Sequence, residues 1–342
     1  MHSFKKTLLA VLALLLCVCV LFAGYTAPYF YGTAYYYQDA AVRSALSGEL
    51  NLLICGSSHA FRGIDPTRID AALGTNSYNL ACSMQTMKGR YFLLREELER
   101  NPVQTVILEV SYNALTRNRE WEGPEGDLYE LGRFTSPFDR WRYFFFTAAP
   151  SEYPQFFHDT LSRSTTAWKK LIKGEMGLQS VRGYLGLDPV DLSKAQDAPE
   201  PLVIPEEKNA ECALYFEKCL ALCAENDVRV ILVTTPMPER TVLTAAGLDR
   251  ARSWFADYAA QYGCEFYDFN LSKTRRTDYP DSTAFFDNTH LSRYGAQTFT
   301  DALCAVLQRQ AQSEDVSALF YESYDALEKE LRLVPLQADA EG

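Results

Sequence analysis

Apolar positions fall along this chain in three patterns. Near the amino terminus, Thr7 to Ala23 is an apolar run without charge, preceded by Lys5 and Lys6. At about 1.5 Å per residue it falls slightly short of a ~30 Å hydrocarbon core, and Gly24 to Ala27 extend it. Tyr25, Tyr29, Phe30, Tyr31, Tyr35, Tyr36 and Tyr37 follow, the composition of an interfacial aromatic belt. The pattern predicts a cytoplasmic amino terminus and a single-pass transmembrane anchor over residues 1–30. Lysines before the span and none just after it place the following domain outside the cell membrane. A cleaved signal peptide is the rival reading. Its candidate site, Tyr25-Thr26-Ala27, begins with a bulky residue, and neither Cys17 nor Cys19 follows the small residue of a lipoprotein signal.

Downstream, short apolar runs alternate with stretches of helical periodicity. Leu52–Cys55, Ser77–Cys82, Thr105–Val110, Val228–Val233 and Phe266–Phe269 read as strands. Thr86–Arg100, Glu211–Ala224, Ala251–Tyr262 and Tyr294–Gln308 read as helices. Strands alternating with helices imply a parallel sheet covered on both faces. The fold class expected for residues 45–335 is therefore α/β, a flavodoxin-like three-layer α/β/α sandwich.

The rhythm fails over residues 116–207, an aromatic-rich stretch that predicts a helical insertion or cap. Most of its aromatics are expected to form a small helical core, with a few near Trp121 or Trp141 facing a sugar or an acyl chain. Asp197 to Pro205 has the composition of a linker returning to the main domain. Val316, Leu319, Phe320, Tyr324, Leu327 and Leu331 fall at helical spacing and predict a helix docked on the domain. Residues 336–342 are expected to be a disordered tail.

Composition narrows the function. The 342 residues are 47% hydrophobic and carry a net charge of −11, which argues against a nucleic-acid partner. His2, His59, His158 and His290 are too scattered for a metal cluster, and neither H-E-x-x-H nor C-x-x-C occurs. No metal and no cofactor is expected. Of nine cysteines, Cys212, Cys219 and Cys223 share one helical face and read as core packing rather than as a disulfide framework.

The chemistry centres on Leu52-Leu53-Ile54-Cys55-Gly56-Ser57-Ser58-His59. A buried strand ending in Gly and Ser presents a hydroxyl at the carboxyl edge of a sheet, where ligands of open α/β sheets bind. Far downstream, Asp287-Asn288-Thr289-His290 places a carboxylate and an imidazole three residues apart, so that one orients the other as a base for serine. Gly56-Ser57-Ser58-His59-Ala60 nearly matches the G-x-S-x-G elbow of α/β-hydrolases. That elbow comes after several strands with its acid far from its base, whereas here the serine follows the first strand and the acid sits beside the base. His59 is expected to pack under the loop at a helix start. Arg62, one turn beyond Ser58, is placed to meet an anionic substrate, but the expected role is a salt bridge to Asp65 or another surface acid.

With these blocks in place, the chain resembles the SGNH (GDSL-like) hydrolase superfamily from about residue 50 to 310, outside the insertion. Gly56-Ser57-Ser58 matches the first block, with Ser57 where an Asp usually stands, so Ser58 aligns with the nucleophile. Asn79-Leu80-Ala81-Cys82-Ser83-Met84-Gln85 resembles the second, with Met84 in place of its Gly. Glu109-Val110-Ser111-Tyr112-Asn113-Ala114 resembles the third, and Asp287-x-x-His290 the last. The resemblance implies catalysis by Ser58, Asp287 and His290, with an oxyanion hole formed by the amide of Ser58, the amide near Met84 and the side chain of Asn113. Chains of this layout are similar to proteins of D-alanyl-teichoic acid synthesis and exopolysaccharide acetylation. The implied activity is an extracytoplasmic serine esterase or O-acyltransferase on a cell-envelope glycan or teichoic acid, with an acyl-donor membrane protein as an expected partner. The alternatives are a lipase-like esterase for small lipids and a catalytically silent envelope scaffold.

Overall fold

The computed structural model describes residues 2–31, 40–175, 180–194 and 201–333. The chain divides into two compact units, one of residues 1–45 with 131–180 and the other of residues 46–130 with 181–342.

The larger unit is built on five parallel strands: β1 (Leu52–Cys55), β2 (Ser77–Asn79), β3 (Thr105–Glu109), β4 (Arg229–Thr234) and β5 (Glu265–Asp268). Their order across the sheet is β2-β1-β3-β4-β5. β1 pairs with β2 on one side and β3 on the other, Leu53 lying opposite both Tyr78 and Val106. Leu52, Leu53, Ile54 and Cys55 are all buried, as a strand with helices on both faces requires. The sheet is thus α/β with the flavodoxin-like order, and its direction of winding reverses beside β1. The crevice beyond the carboxyl ends of β1 and β3 is where such sheets bind ligands.

Local signals explain the helices. Thr86 caps Met87–Leu98 by accepting from the Gly89 amide at 3.0 Å. Asn209 caps Ala210–Glu225 by accepting from the amides of Glu211 and Cys212. Cys212, Cys219 and Cys223 line the buried face of that helix, and burial pushes the Cys219 thiol well up. All the described cysteines are free.

Two elements differ from the sequence pattern. β2 stops at Asn79 rather than Cys82: the Asn79 side chain accepts from the Ala81 amide and donates to the carbonyls of Ala60 and Ile64, which bends the apolar residues beyond it out of the ladder. The carboxyl-terminal helix is also shorter. Val316 to Phe320 forms one turn over Ser317–Leu319, then pairs with the loop after β5 through Lys273 N to Leu319 O and Tyr321 N to Leu271 O. Only Tyr324–Leu333 is helical, docked through buried Leu327 and Leu331 on Ile204, Met237, Leu248 and Leu271. Of the expected linker, residues 197–200 lie outside the described residues, as do the 336–342 tail and Tyr35 to Tyr37.

The smaller unit holds the helix His2–Tyr31 and two helices of the insertion, Pro137–Thr147 and Tyr153–Lys173. The helix over Phe4–Tyr31 is long and apolar enough to cross a membrane, with an 18-residue stretch of mean hydropathy 2.8. Rings interlock where the three helices meet. Trp141 lies 5.6 Å from Phe22 and 6.1 Å from Phe157, and Phe144 stacks on Phe156 at 3.9 Å. Trp168 Nε1 donates to Tyr25 O at 2.9 Å, and Tyr25 and Thr165 share a hydroxyl bond of 2.7 Å. Buried Arg140 donates to the carbonyls of Leu131 and Phe134 and lies 4.2 Å over the Phe30 ring. Trp141 is therefore part of this aromatic core, and the Trp121 side chain lies outside the described residues.

Candidate active site

The turn after β1 depends on Gly56. A Cβ there would lie 2.5 Å from the Ala60 Cβ and 2.7 Å from the Glu109 Cβ. Ser57 then caps the short helix Ser58–Gly63. Its amide and hydroxyl both donate to Glu109 Oε2, at 3.1 and 3.2 Å. Glu109 ends β3 and is fully buried. Burial pushes its carboxyl up, against the pull of the Arg90 guanidinium and the Ser57 donors. Arg90, also buried, stands 3.9 Å from Glu109 Oε2 and donates to the Glu109 carbonyl at 2.7 Å. A buried acid on the neighbouring strand thus fixes the turn that carries Ser58.

Ser58 Oγ lies 2.7 Å from His290 Nε2. His290 Nδ1 lies 2.8 and 3.0 Å from the two oxygens of Asp287. The loop that brings acid and base together is closed by Phe286 N donating to His290 O and by an antiparallel bridge between Phe285 and Leu291. Asp287 Oδ1 also accepts from the amides of Thr289 and His290, each at 2.8 Å, a side-chain-mimicked turn. Burial alone would raise the Asp287 carboxyl, but the hydrogen bond and charge of His290 and these amides hold it well below the usual carboxylate range. An ionised Asp287 accepts from Nδ1–H, which leaves Nε2 to take the Ser58 proton.

The two remaining expected site residues stand on adjoining loops rather than in hydrogen-bond contact with Ser58. Asn113 follows β3. Its side-chain oxygen accepts from Ser111 Oγ at 2.7 Å, which leaves its two N–H groups to a ligand. Met84 follows β2 at φ 57. That left-handed conformation is free to glycine and costs other residues about 1–3 kcal/mol, so the loop keeps the backbone shape of a glycine while carrying methionine.

His59 is buried at the helix start, as expected, and only its partner was not foreseen. Its buried ring stacks on His290 with centroids 4.7 Å apart and 22° between planes, and meets the edge of Tyr112 at 5.7 Å. Burial, then His290, pushes its pKa well down. Below about pH 6.5 the unfolded chain binds a proton here that the folded chain resists, so His59 withdraws stability as pH falls from there toward its lowered folded value. Asp268, raised to about 6 by burial, works the other way and withdraws stability as pH rises through that value. A comparison of His59→Asn with the parent isolates the first effect. Between about pH 7 and about pH 5 the parent's Tm should fall more than the variant's; parallel profiles would contradict the reading.

Arg62 does not pair with Asp65, which instead accepts from the Thr67 amide and hydroxyl. Its guanidinium lies 5.1 Å from the centre of the Phe286 ring, next to Asp287 in sequence. Its Nε has no hydrogen-bond partner among the described residues.

No family model matches the chain, and no curated protein matches it. Among solved structures, a chain from Bacteroides fragilis NCTC 9343 provisionally assigned as an acylhydrolase is similar at 11% identity and a TM-score of 0.41, over 80% of this chain and 95% of that one. A gut microbial diltiazem-metabolizing enzyme is similar at 10% identity and a TM-score of 0.34, over 75% of this chain; the match spans 47% of that enzyme's length.

Proposed function

We propose that this chain is a membrane-anchored serine esterase or O-acyltransferase that works through an acyl-serine on Ser58. The observation that carries the reading is the continuous chain from Ser58 Oγ through His290 to Asp287. Ser58 Oγ attacks the ester carbonyl carbon while its proton passes to His290 Nε2. The tetrahedral oxyanion is held by the Asn113 side-chain amide and the backbone amides of Ser58 and Met84, and one such donor is worth roughly 3 kcal/mol. Collapse breaks the ester C–O bond, and the leaving alkoxide takes the proton from His290. An acceptor hydroxyl, from water or a polyol, then gives its proton to His290 and attacks the acyl carbon. Ser58 leaves and recovers the proton.

The substrate class we assign is an acyl ester, acetyl or D-alanyl, of an envelope glycan or teichoic acid, on the outer side of the membrane. The amino-terminal apolar helix supports this location. Arg62 supports an anionic polymer, because a guanidinium beside the Asp287 loop with no acidic partner among the described residues suits a phosphate or carboxylate. The test supplies an isotopically labelled acyl donor with and without a teichoic or acidic glycan acceptor and follows the acceptor by mass spectrometry. Label should appear on the acceptor, acyl release should quicken when acceptor is present, and Arg62→Gln should raise KM for the anionic acceptor with kcat little changed. Label recovered only as free acid, at a rate indifferent to acceptor, would reduce the protein to a plain esterase.

A further inference from the structure

The insertion carries exposed aromatic surface beside its core. Phe138 is 73% exposed and Phe145 and Phe146 more than half. Pro137, Phe138, Trp141, Arg142 and Phe145 line an open depression of about 440 Å³ with no polar wall. On the second helix, Leu171 and Ile172 are exposed, Ile172 at 79%, next to Trp168. A soluble surface rarely leaves so many large apolar side chains uncovered together.

Three observations say what covers them. The first is depth. The charge-free stretch Thr7 to Ala27 is 21 residues of helix, which at about 1.5 Å per residue matches a ~30 Å hydrocarbon core. Trp141 and Phe157 meet the ring of Phe22, within the last two turns of that span. The exposed phenylalanines therefore lie on a helix docked where the hydrocarbon core meets the headgroups. The second is charge. Residues 131–175 carry five Lys and Arg at the surface against four Asp and Glu, with Arg133 and Arg140 buried, in a chain of net charge −11. Exposed Arg142, Lys169 and Lys173 border the apolar residues, as side chains do that reach from an apolar surface to lipid phosphates. The third is continuity: these helices pack directly on the apolar amino-terminal helix within one compact unit.

We infer that Pro137–Thr147 and the end of Tyr153–Lys173 form a membrane-seated foot, with Phe138, Phe145, Phe146 and Ile172 buried among the acyl chains and headgroups of an anionic bilayer. The inference rests on the amino-terminal helix being an anchor and not on the chemistry of Ser58. The insertion thereby gives the protein a broad lipid contact in addition to its single span.

The test uses the full chain in vesicles of phosphatidylcholine and phosphatidylglycerol that contain a phospholipid bearing a carbene-generating diazirine on its acyl chain. Peptide mass spectrometry after illumination should find adducts on residues 138–146 and 171–172 as well as on residues 4–23. Their yield should exceed by many-fold that on Tyr294, an exposed ring of the other unit. Omitting phosphatidylglycerol should lower the foot's adducts several-fold and leave those on residues 4–23 unchanged. Phe138→Asp with Phe146→Asp should abolish labelling of 138–146 alone. Adducts confined to residues 4–23, with the foot no more labelled than Tyr294, would overturn the inference. So would cross-linking of Phe138 to a second copy of the chain while the lipid probe leaves it untouched. Absence of adducts on residues 4–23 would contradict the anchor itself, independently of any esterase assay.

Discussion

Ser58→Ala is expected to abolish turnover while leaving the fold intact. Ser58 is the helix residue whose hydroxyl meets His290 at 2.7 Å, and no second hydroxyl is bonded to that Nε2 among the described residues. Removing the nucleophile of such a set costs about 10⁶-fold in kcat, because base and orienting acid lose their function with it. The stability change should be small, since the lost hydroxyl is partly exposed and supports no other element. The assay is steady-state hydrolysis of a chromogenic acyl ester beside a thermal melt. Asp287→Asn should cost about 10⁴-fold by leaving His290 in the wrong tautomer. A Ser58→Ala variant that turns over within tenfold of the parent would remove Ser58 from the chemistry.

Glu109→Ala is expected to have the largest effect on stability, about 3–5 kcal/mol. It leaves the buried Arg90 without its counter-charge and strands the amide and hydroxyl of Ser57, both of which donate to Glu109 Oε2. Glu109→Gln keeps the shape and one acceptor oxygen, so its loss should be smaller. Urea unfolding with an unchanged m value reads the difference directly. Activity should fall in both variants, because the turn presenting Ser58 hangs from this carboxylate. A loss below about 1 kcal/mol for the alanine variant would mean that neither the ion pair nor the loop depends on Glu109.

These two residues show what the sequence made legible. β3 was readable because Val106, Ile107 and Leu108 are buried on both faces of a parallel sheet, which leaves an unbroken apolar run. The pairing of Ser58, Asp287 and His290 was readable because the strand-end serine and the Asp-x-x-His turn each have a local signature. Glu109 was legible as the first residue of the third block but not as a support for the turn, because that role depends on Arg90 and Ser57, which only the fold brings to it. His59 was visible as a neighbour of Ser58, but its stacking on a ring 231 positions downstream is a tertiary fact. The insertion's aromatics signalled a helical core, while their meeting with Phe22 and Phe30 joins segments more than a hundred residues apart. Met84 shows a different limit, since its backbone angle is set by the loop and not by the residue's own preference.

Treating the full chain with a fluorophosphonate and locating the adduct by peptide fragmentation identifies the nucleophile. A single stoichiometric phosphonyl group is expected on Ser58 Oγ, lost on Ser58→Ala, strongly slowed on His290→Ala and retained on Ser57→Ala. An adduct on Ser57, or no adduct on a folded protein, would contradict the role of Ser58.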